Sequence, residues 1–237
     1  MKYIALPDDV RERPLSFYLA MEEHVARHLD VEDAFFMWQV APSVIFGRNQ
    51  SLTSEVNVDY CREHGIRMYR RKSGGGCVYA DRQNVMLSYV TKETNVGLAF
   101  QTYLNMVLLV LRRLGIEAVS TTHNDILIAD RKVSGAACYH LQGGSVVHAT
   151  MLYDTNMEHM LHAITPSREK LQSKGIQSVR QRITLLKDYT HLSLDEFKAF
   201  VRQTLCQGEL MLGDDDVAAI EKLEQTYLNE DFINLLS

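Results

Sequence analysis

Proline, cysteine and long apolar runs are all in short supply. Four prolines (Pro7, Pro14, Pro42, Pro166) in 237 residues leave no Pro/Ser-rich linker, and no repeat or low-complexity tract divides the chain either. Four cysteines, at positions 61, 77, 138 and 206, form no close pair. That excludes a disulfide scaffold or a Cys-rich zinc module and fits a reducing, cytoplasmic compartment. The longest apolar run, Met106 to Leu111, cannot span a bilayer. The N-terminus has only Tyr3 to Leu6 before charge begins, too short for a signal peptide. Positive charge is not in excess, with 25 Lys+Arg against 30 Asp+Glu and a net of −5. No basic face is interleaved with aromatics, so neither nucleic acid nor membrane is an expected partner.

What is present is a globular composition, 46% hydrophobic and 23% charged, which excludes intrinsic disorder. The charge is lopsided. Residues 209–231 hold eight acidic side chains against Lys222 alone, a local net of −7 that leaves +2 for everything else. Arg62 to Lys72 and Arg168 to Lys187 supply the local positive charge, for which solvated surface is the commoner explanation.

Pro14 opens an amphipathic helix, Leu15 to Leu29, with Leu15, Tyr18, Leu19, Val25 and Leu29 on its apolar stripe. Ala34–Val40 and Ser43–Phe46 read as two adjacent strands joined at Ala41-Pro42. Ile66–Arg70, Cys77–Tyr79 and Val85–Val90 read as further strands. Val96 to Leu114 carries the strongest helical period and ends at Gly115 behind Arg112 and Arg113. Ala118–Thr121, Asp125–Ala129, Lys132–Cys138 and Ser145–Tyr153, with tight joints at Asp130-Arg131 and Gly143-Gly144, suggest an antiparallel meander. Ser193 to Glu196 is a capping box, and Asp214-Asp215-Asp216 complements a further helix dipole. The expected organisation is a catalytic body over 1–190 with a helical tail, 191–237, packed on it.

Two segments carry chemistry. Arg70-Arg71-Lys72-Ser73-Gly74-Gly75-Gly76-Cys77-Val78-Tyr79 sets three cations and a hydroxyl before three glycines and a strand. It is neither a Walker loop nor a dinucleotide fingerprint. From the residues alone, a flexible turn and an anion cradle are equally open readings. In Arg131-Lys132-Val133-Ser134-Gly135-Ala136-Ala137 a lysine enters a strand of small residues that leave room for a ligand, although an exposed strand lysine is the commoner case.

In their order, several blocks resemble the lipoate–protein ligase A family, within the wider biotin ligase and lipoyl/octanoyl transferase superfamily. They are Leu19-Ala-Met-Glu-Glu23, Trp38-Gln39 with Pro42 to Gln50, the Arg70 to Tyr79 loop with Asp81 and Asn84, Asn124-Asp125, Arg131 to Gly135, His148 to Leu152, and Lys174 to Arg182. The resemblance runs from about Leu15 to Thr184. It implies an α/β chain of the α+β type, with mixed, largely antiparallel sheets flanked by helices, as in the catalytic domains of biotin ligases and class II aminoacyl-tRNA synthetases.

The resemblance also implies an activity. Lipoate and ATP, with Mg2+, give lipoyl-AMP, and the lipoyl group passes to a lysine of an apo lipoyl domain of a 2-oxoacid dehydrogenase or of the glycine cleavage H protein. Carried over residue by residue, Lys132 is the catalytic cation. ATP falls to Arg71, Gly75, Gly76, Cys77, Val78, Tyr79, Asn84, Asp125 and Lys132. Lipoate falls to Trp38, Arg71, Ser73, Gly76, Lys132, Ser134, Ala137 and His148, and no metal ligand is assigned. The octanoyltransferases of the superfamily use a cysteine where this chain has Thr165-Pro166-Ser167 or Thr121-Thr122-His123. The family's usual His-Asp-x-Gly-Asn reads Ala80-Asp81-Arg82-Gln83-Asn84, and its His-Gly-Thr reads His148-Ala149-Thr150. The likeness is to a single-domain form without the appended C-terminal domain of larger ligases, which implies either a separate accessory protein for the adenylation step or a transferase that uses preformed lipoyl-AMP.

Overall fold

The computed structural model describes residues 1–8, 11–164 and 182–235. Its larger sheet has eight strands, in the order β11 (Glu209–Met211), β1 (Lys2–Ala5), β2 (Asp33–Trp38), β6 (Val85–Thr91), β10 (Gly144–Met151), β9 (Arg131–Leu141), β8 (Asp125–Ile128) and β7 (Val119–Ser120). A three-stranded sheet follows the order β4 (Arg67–Arg70), β3 (Ser43–Phe46), β5 (Cys77–Ala80). Pairing is parallel at β11–β1–β2 and at β3–β4, and antiparallel elsewhere. The meander β7 to β10 lies in chain order, as its tight joints suggest.

Both faces of the large sheet are covered, which is why its central strands are apolar almost throughout. On one side α1 (Leu15–His28) and α7 (Asp214–Leu228) pack with Phe36, Trp38, Met86 and Val146. On the other α4 (Val96–Arg113) and α6 (Leu194–Leu205) pack with Phe35, Leu87, Tyr89, Val147 and Met151. Alternation along β2 thus sends Phe35 and Phe36 into different cores. The capping box sits where the sequence puts it, and α4 has a cap of its own. Asn95 accepts from the Gly97 and Leu98 amides at the start of α4, and Ser193 and Glu196 form the capping box of α6. The small sheet packs with α3 (Val58–Glu63) and α5 (Met157–Ala163) around Phe46, Cys61, Tyr79 and Met160.

Two expectations need correcting. Ala34–Val40 and Ser43–Phe46 are not neighbours: β2 lies between β1 and β6, whereas β3 lies between β4 and β5 in the other sheet. Pro42 carries the chain from one sheet to the other, and an X-Pro turn is compatible with either outcome. The stretch after Cys206 also contains a strand, β11, which extends the large sheet beyond β1. Both β1 and β11 are short and held by parallel pairing to remote segments, so neither leaves a local signal.

The helix α7 is fastened to α1 by polar contacts. Ser16 Oγ donates to Glu224 at 2.5 Å, Tyr227 Oη donates to Glu23 at 3.1 Å, and His24 Nε2 lies 2.9 Å from Asp216. The Gly213 amide, and then His24, hold the Asp216 carboxyl below its ordinary value. A depressed carboxyl pKa contributes stability above the unfolded-state value of about 3.9 and loses it as pH falls through the folded value. Denaturant unfolding at pH 3 to 5 is therefore expected to fall off less steeply for Asp216→Asn than for the wild-type chain, and parallel curves would contradict this.

Candidate active site

Strand register builds the floor of a cavity of about 260 Å3. Trp38 pairs with Met86, Met86 with Thr150, Thr150 with Gly135, and Gly135 with Asp125. All five line the cavity. Four interstrand steps of about 4.8 Å make this row roughly 19 Å long. Leu19 of α1 and Ile45 of β3 contribute further apolar wall. The glycine loop closes the cavity from the small sheet, through Gly75, Gly76, Cys77 and Val78.

The three cations that precede those glycines are all engaged within the protein. Arg71 is buried and its guanidinium is tied to the loop it precedes. Nη2 donates to Gly74 O at 2.7 Å and Gly76 O at 2.9 Å, Nη1 to Ile45 O at 3.0 Å, and Nε to Ser73 Oγ at 2.9 Å. Burial pulls this guanidinium down to about 10, so it stays charged at neutral pH beside the cavity it lines. Arg70, fully buried, donates to Gly47, Arg48 and Gln50 carbonyls and twice to Ile233 O in α8 (Glu230–Ile233). Lys72 pairs with Glu23 at 2.6 Å. Of the three cations only Arg71 reaches the cavity wall. A Cβ on Gly47 would lie 2.1 Å from Gly75 O, so glycine there is what lets the loop settle against β3.

Behind the loop runs a buried chain of hydrogen bonds. Arg71 Nε donates to Ser73 Oγ, which lies 2.7 Å from His148 Nε2; His148 Nδ1 lies 2.8 Å from Glu22 Oε2. Ser88 Oγ donates to Glu22 Oε1 at 2.6 Å and receives the Trp38 indole N–H at 2.8 Å. With Glu22 ionised and the His148 proton on Nδ1, every donor in this chain has one acceptor, so two cavity walls, Trp38 and His148, are fixed to one carboxylate.

At the other end of the row, Lys132 Nζ meets Asp125 Oδ1 at 2.7 Å. The ammonium occupies the space a side chain at Gly135 would take, where a Cβ would come within 2.5 Å of it. Asn124, at φ 61, turns the chain so that Asp125 faces this point, a left-handed conformation asparagine tolerates. Beyond Lys132 opens a second chamber of about 250 Å3, lined by Tyr79, Leu152, Met160, Ile164, Arg182 and Ile183. The two chambers share Cys77, Val78, Lys132, Gly135 and Thr150. Lys132 thus stands at the junction of a chamber of mixed polarity and a largely apolar one.

Of the residues singled out from sequence, Trp38, Arg71, Gly75, Gly76, Cys77, Val78, Asp125, Lys132, Ala137 and His148 line the first chamber, and Tyr79 lines the second. Ser73, Ser134 and Asn84 are buried and line neither. Asn84 Nδ2 instead donates to Thr155 Oγ1 at 2.9 Å, beside α5. Lys174 to Gln181 and Thr165 to Ser167 lie outside the described residues. Sequence reasoning gave no role to Glu22, Ser88 or Met86, nor to Leu152, Met160, Ile164 and Ile183 of the second chamber. Glu22 had a signal, a carboxylate on the apolar stripe of α1, whereas the others had none.

Residues 14–206 match the family model described as the lipoyl protein ligase A/B catalytic domain. Over 185 residues the chain is 35% identical to the lipoate-protein ligase LplJ of Bacillus subtilis, covering 76% of this chain and 56% of that relative. The chain thus spans a little over half of that relative's length. Among solved structures, protein Ta0514 of T. acidophilum with bound lipoic acid superposes with a TM-score of 0.84 at 25% identity, covering 100% of both chains. A lipoate-protein ligase A bound with ATP gives 0.83 at 25% identity, covering 99% of each.

Proposed function

Because the chain belongs to the lipoyl protein ligase A/B catalytic-domain family, we propose that it activates lipoate with ATP and transfers the lipoyl group to an acceptor lysine. The observation that carries this reading is Lys132 at the junction of the two chambers, paired with the one carboxylate that lines them among the described residues. An aliphatic acid suits the chamber closed by Leu19, Trp38, Ile45 and Met86, with its carboxylate toward Lys132. The nucleoside suits the chamber of Leu152, Met160 and Ile183, with its α-phosphate at the junction.

Carboxylate and triphosphate repel each other, and one ammonium between them relieves both. A lipoate oxygen attacks the α-phosphorus, the bond to pyrophosphate breaks, and lipoyl-AMP remains. An acceptor lysine, as its free amine, then attacks the acyl carbon; the bond to AMP breaks and the nitrogen loses a proton. Cys77 and Val78, which line both chambers, supply the wall at the junction, and the fixed guanidinium of Arg71 with Gly75 and Gly76 lines the acid's chamber beside it. Mg2+ commonly binds through one or two carboxylates plus substrate phosphates, and Asp125 fits as that protein ligand. When bound, the ion neutralises phosphate charge.

We take residues 1–190 as the catalytic body and 191–237 as its tail, a division supported by α6 packing on α4 and α7 on α1. Acceptors of the proposed class are apo lipoyl domains of 2-oxoacid dehydrogenases or the glycine cleavage H protein, with a separate accessory protein as a further partner. The scattered spacing of the four cysteines, at 61, 77, 138 and 206, supports a cytoplasmic setting. Among the described residues no helix is long and apolar enough to cross a membrane.

The test is incubation with lipoate, Mg·ATP and an apo lipoyl domain, following acceptor mass and pyrophosphate. ATP-dependent lipoylation with pyrophosphate release is expected. Lipoylation only from preformed lipoyl-AMP or an acyl-carrier donor would make the protein a transferase instead. A milder variant probes the junction. Gly135→Ala would push the Lys132 ammonium aside while sparing backbone, because the atom met is the end of a flexible chain. Near wild-type melting with adenylation lowered roughly 10²-fold is expected, the cost of about 1 Å of misplacement. Unchanged adenylation would show that the ammonium's position is not critical.

A further inference from the structure

The second chamber holds a side chain with no role so far. Arg182 lines it, and its Nε and Nη2 are both buried without a hydrogen-bond partner among the described residues. These two nitrogens form one edge of the guanidinium, whose parallel N–H groups match two oxygens of a single phosphate or carboxylate. Buried donors of a charged group are costly to leave empty, and two on one edge in a largely apolar chamber point to a ligand that brings its own acceptors.

Backbone pairing fixes where this edge sits. Ile183 bridges Lys132 in parallel, and the Thr184 amide donates to Lys132 O at 2.9 Å. Arg182 and Lys132 therefore reach the same chamber from adjacent segments. Asp125 already pairs with Lys132, so the guanidinium leaves one positive charge in excess there.

We propose that Arg182 grips the phosphate chain of the bound nucleotide through a bidentate contact, next to the α-phosphate assigned to Lys132. This rests on the ATP-dependent reading above. The base is a poorer match for an adenine nucleotide. Adenine sets an amino donor beside N7, whereas two donors on one edge need two acceptors, such as guanine O6 and N7 or two phosphate oxygens.

The experiment is equilibrium titration of the intact protein with ATP, adenosine, GTP and lipoate, comparing wild type with Arg182→Ala and Arg182→Lys. Arg182→Ala is expected to weaken ATP binding about 10- to 100-fold, the loss for hydrogen bonds between charged groups. Arg182→Lys should weaken it nearly as much, because an ammonium has no fork. Adenosine and lipoate should bind both variants as they bind wild type, which also shows that the fold is kept. Unaltered ATP affinity in Arg182→Ala, an equal loss for adenosine, or tighter binding of GTP than of ATP by wild type would each overturn the proposal. A wild-type protein that binds lipoate but no ATP would overturn the ATP-dependent reading and this contact with it, a pattern distinct from the other three.

Discussion

Lys132→Ala is expected to lower lipoyl-AMP formation by about 10²- to 10³-fold or more, the usual consequence of removing a preorganised group that stabilises developing charge. Stability should barely move. Lys132 is about a third exposed and its partner Asp125 little less, so their pair is of the partly solvated kind, worth at most about 1 kcal/mol. In a chain of this size that corresponds to a melting shift of roughly 2–4 °C. The two readouts therefore separate: lipoate-dependent ATP–pyrophosphate exchange collapses while the melting temperature stays close to wild type. Lys132→Arg should recover little, because a planar guanidinium cannot occupy the pocket above Gly135 as a compact ammonium does. Exchange at the wild-type rate in Lys132→Ala would remove Lys132 from the chemistry.

The largest loss of stability is expected at Arg70, a residue that touches neither chamber. Its guanidinium joins the carbonyls of Gly47, Arg48 and Gln50 to that of Ile233, and it stacks over Phe46 with 4.7 Å to the ring centroid. Arg70→Met keeps most of the volume and removes every donor. Each buried carbonyl left without a partner costs about 1–3 kcal/mol, and water can reach some of the four. A net loss of about 3 kcal/mol is expected, a fall in melting temperature of roughly 6–12 °C. Because the 47–50 turn abuts the glycine loop through the Gly47–Gly76 hydrogen bond, lipoate affinity should fall as well. A variant that melts like wild type would mean that this clamp is redundant.

How far the sequence carried depended on how local each cause was. The start of α1 at Leu15, the cap at Ser193 and the hairpin at Gly143-Gly144 are decided within a few residues, and they are read directly. Lys132 and Trp38 were legible through their motifs. The Arg70-Arg71-Lys72 cluster was legible as charge but not as geometry. Which carbonyls a guanidinium meets depends on the path of a loop, and no spacing rule encodes that path. Beyond Cys77, Val78, Tyr79 and Lys132, which their motifs carry, the second chamber draws on Leu152, Met160 and Ile183, ordinary apolar residues, and only folding makes them a set. Glu22 lay in between: its charge on the buried stripe of α1 was visible, but its partners Ser88 and His148 come from strands whose register had to be known first.

That register gives the protein a built-in optical reporter. Trp38 is its single tryptophan, it forms the end wall of the chamber proposed for lipoate, its ring stacks on Tyr18 at 4.9 Å, and its indole N–H is spoken for by Ser88. Emission excited at the red edge of indole absorption therefore comes from one place in the molecule. An acyl chain entering the chamber alters the immediate surroundings of that fluorophore, so acid binding is readable in unlabelled protein, separately from anything that happens to the nucleotide.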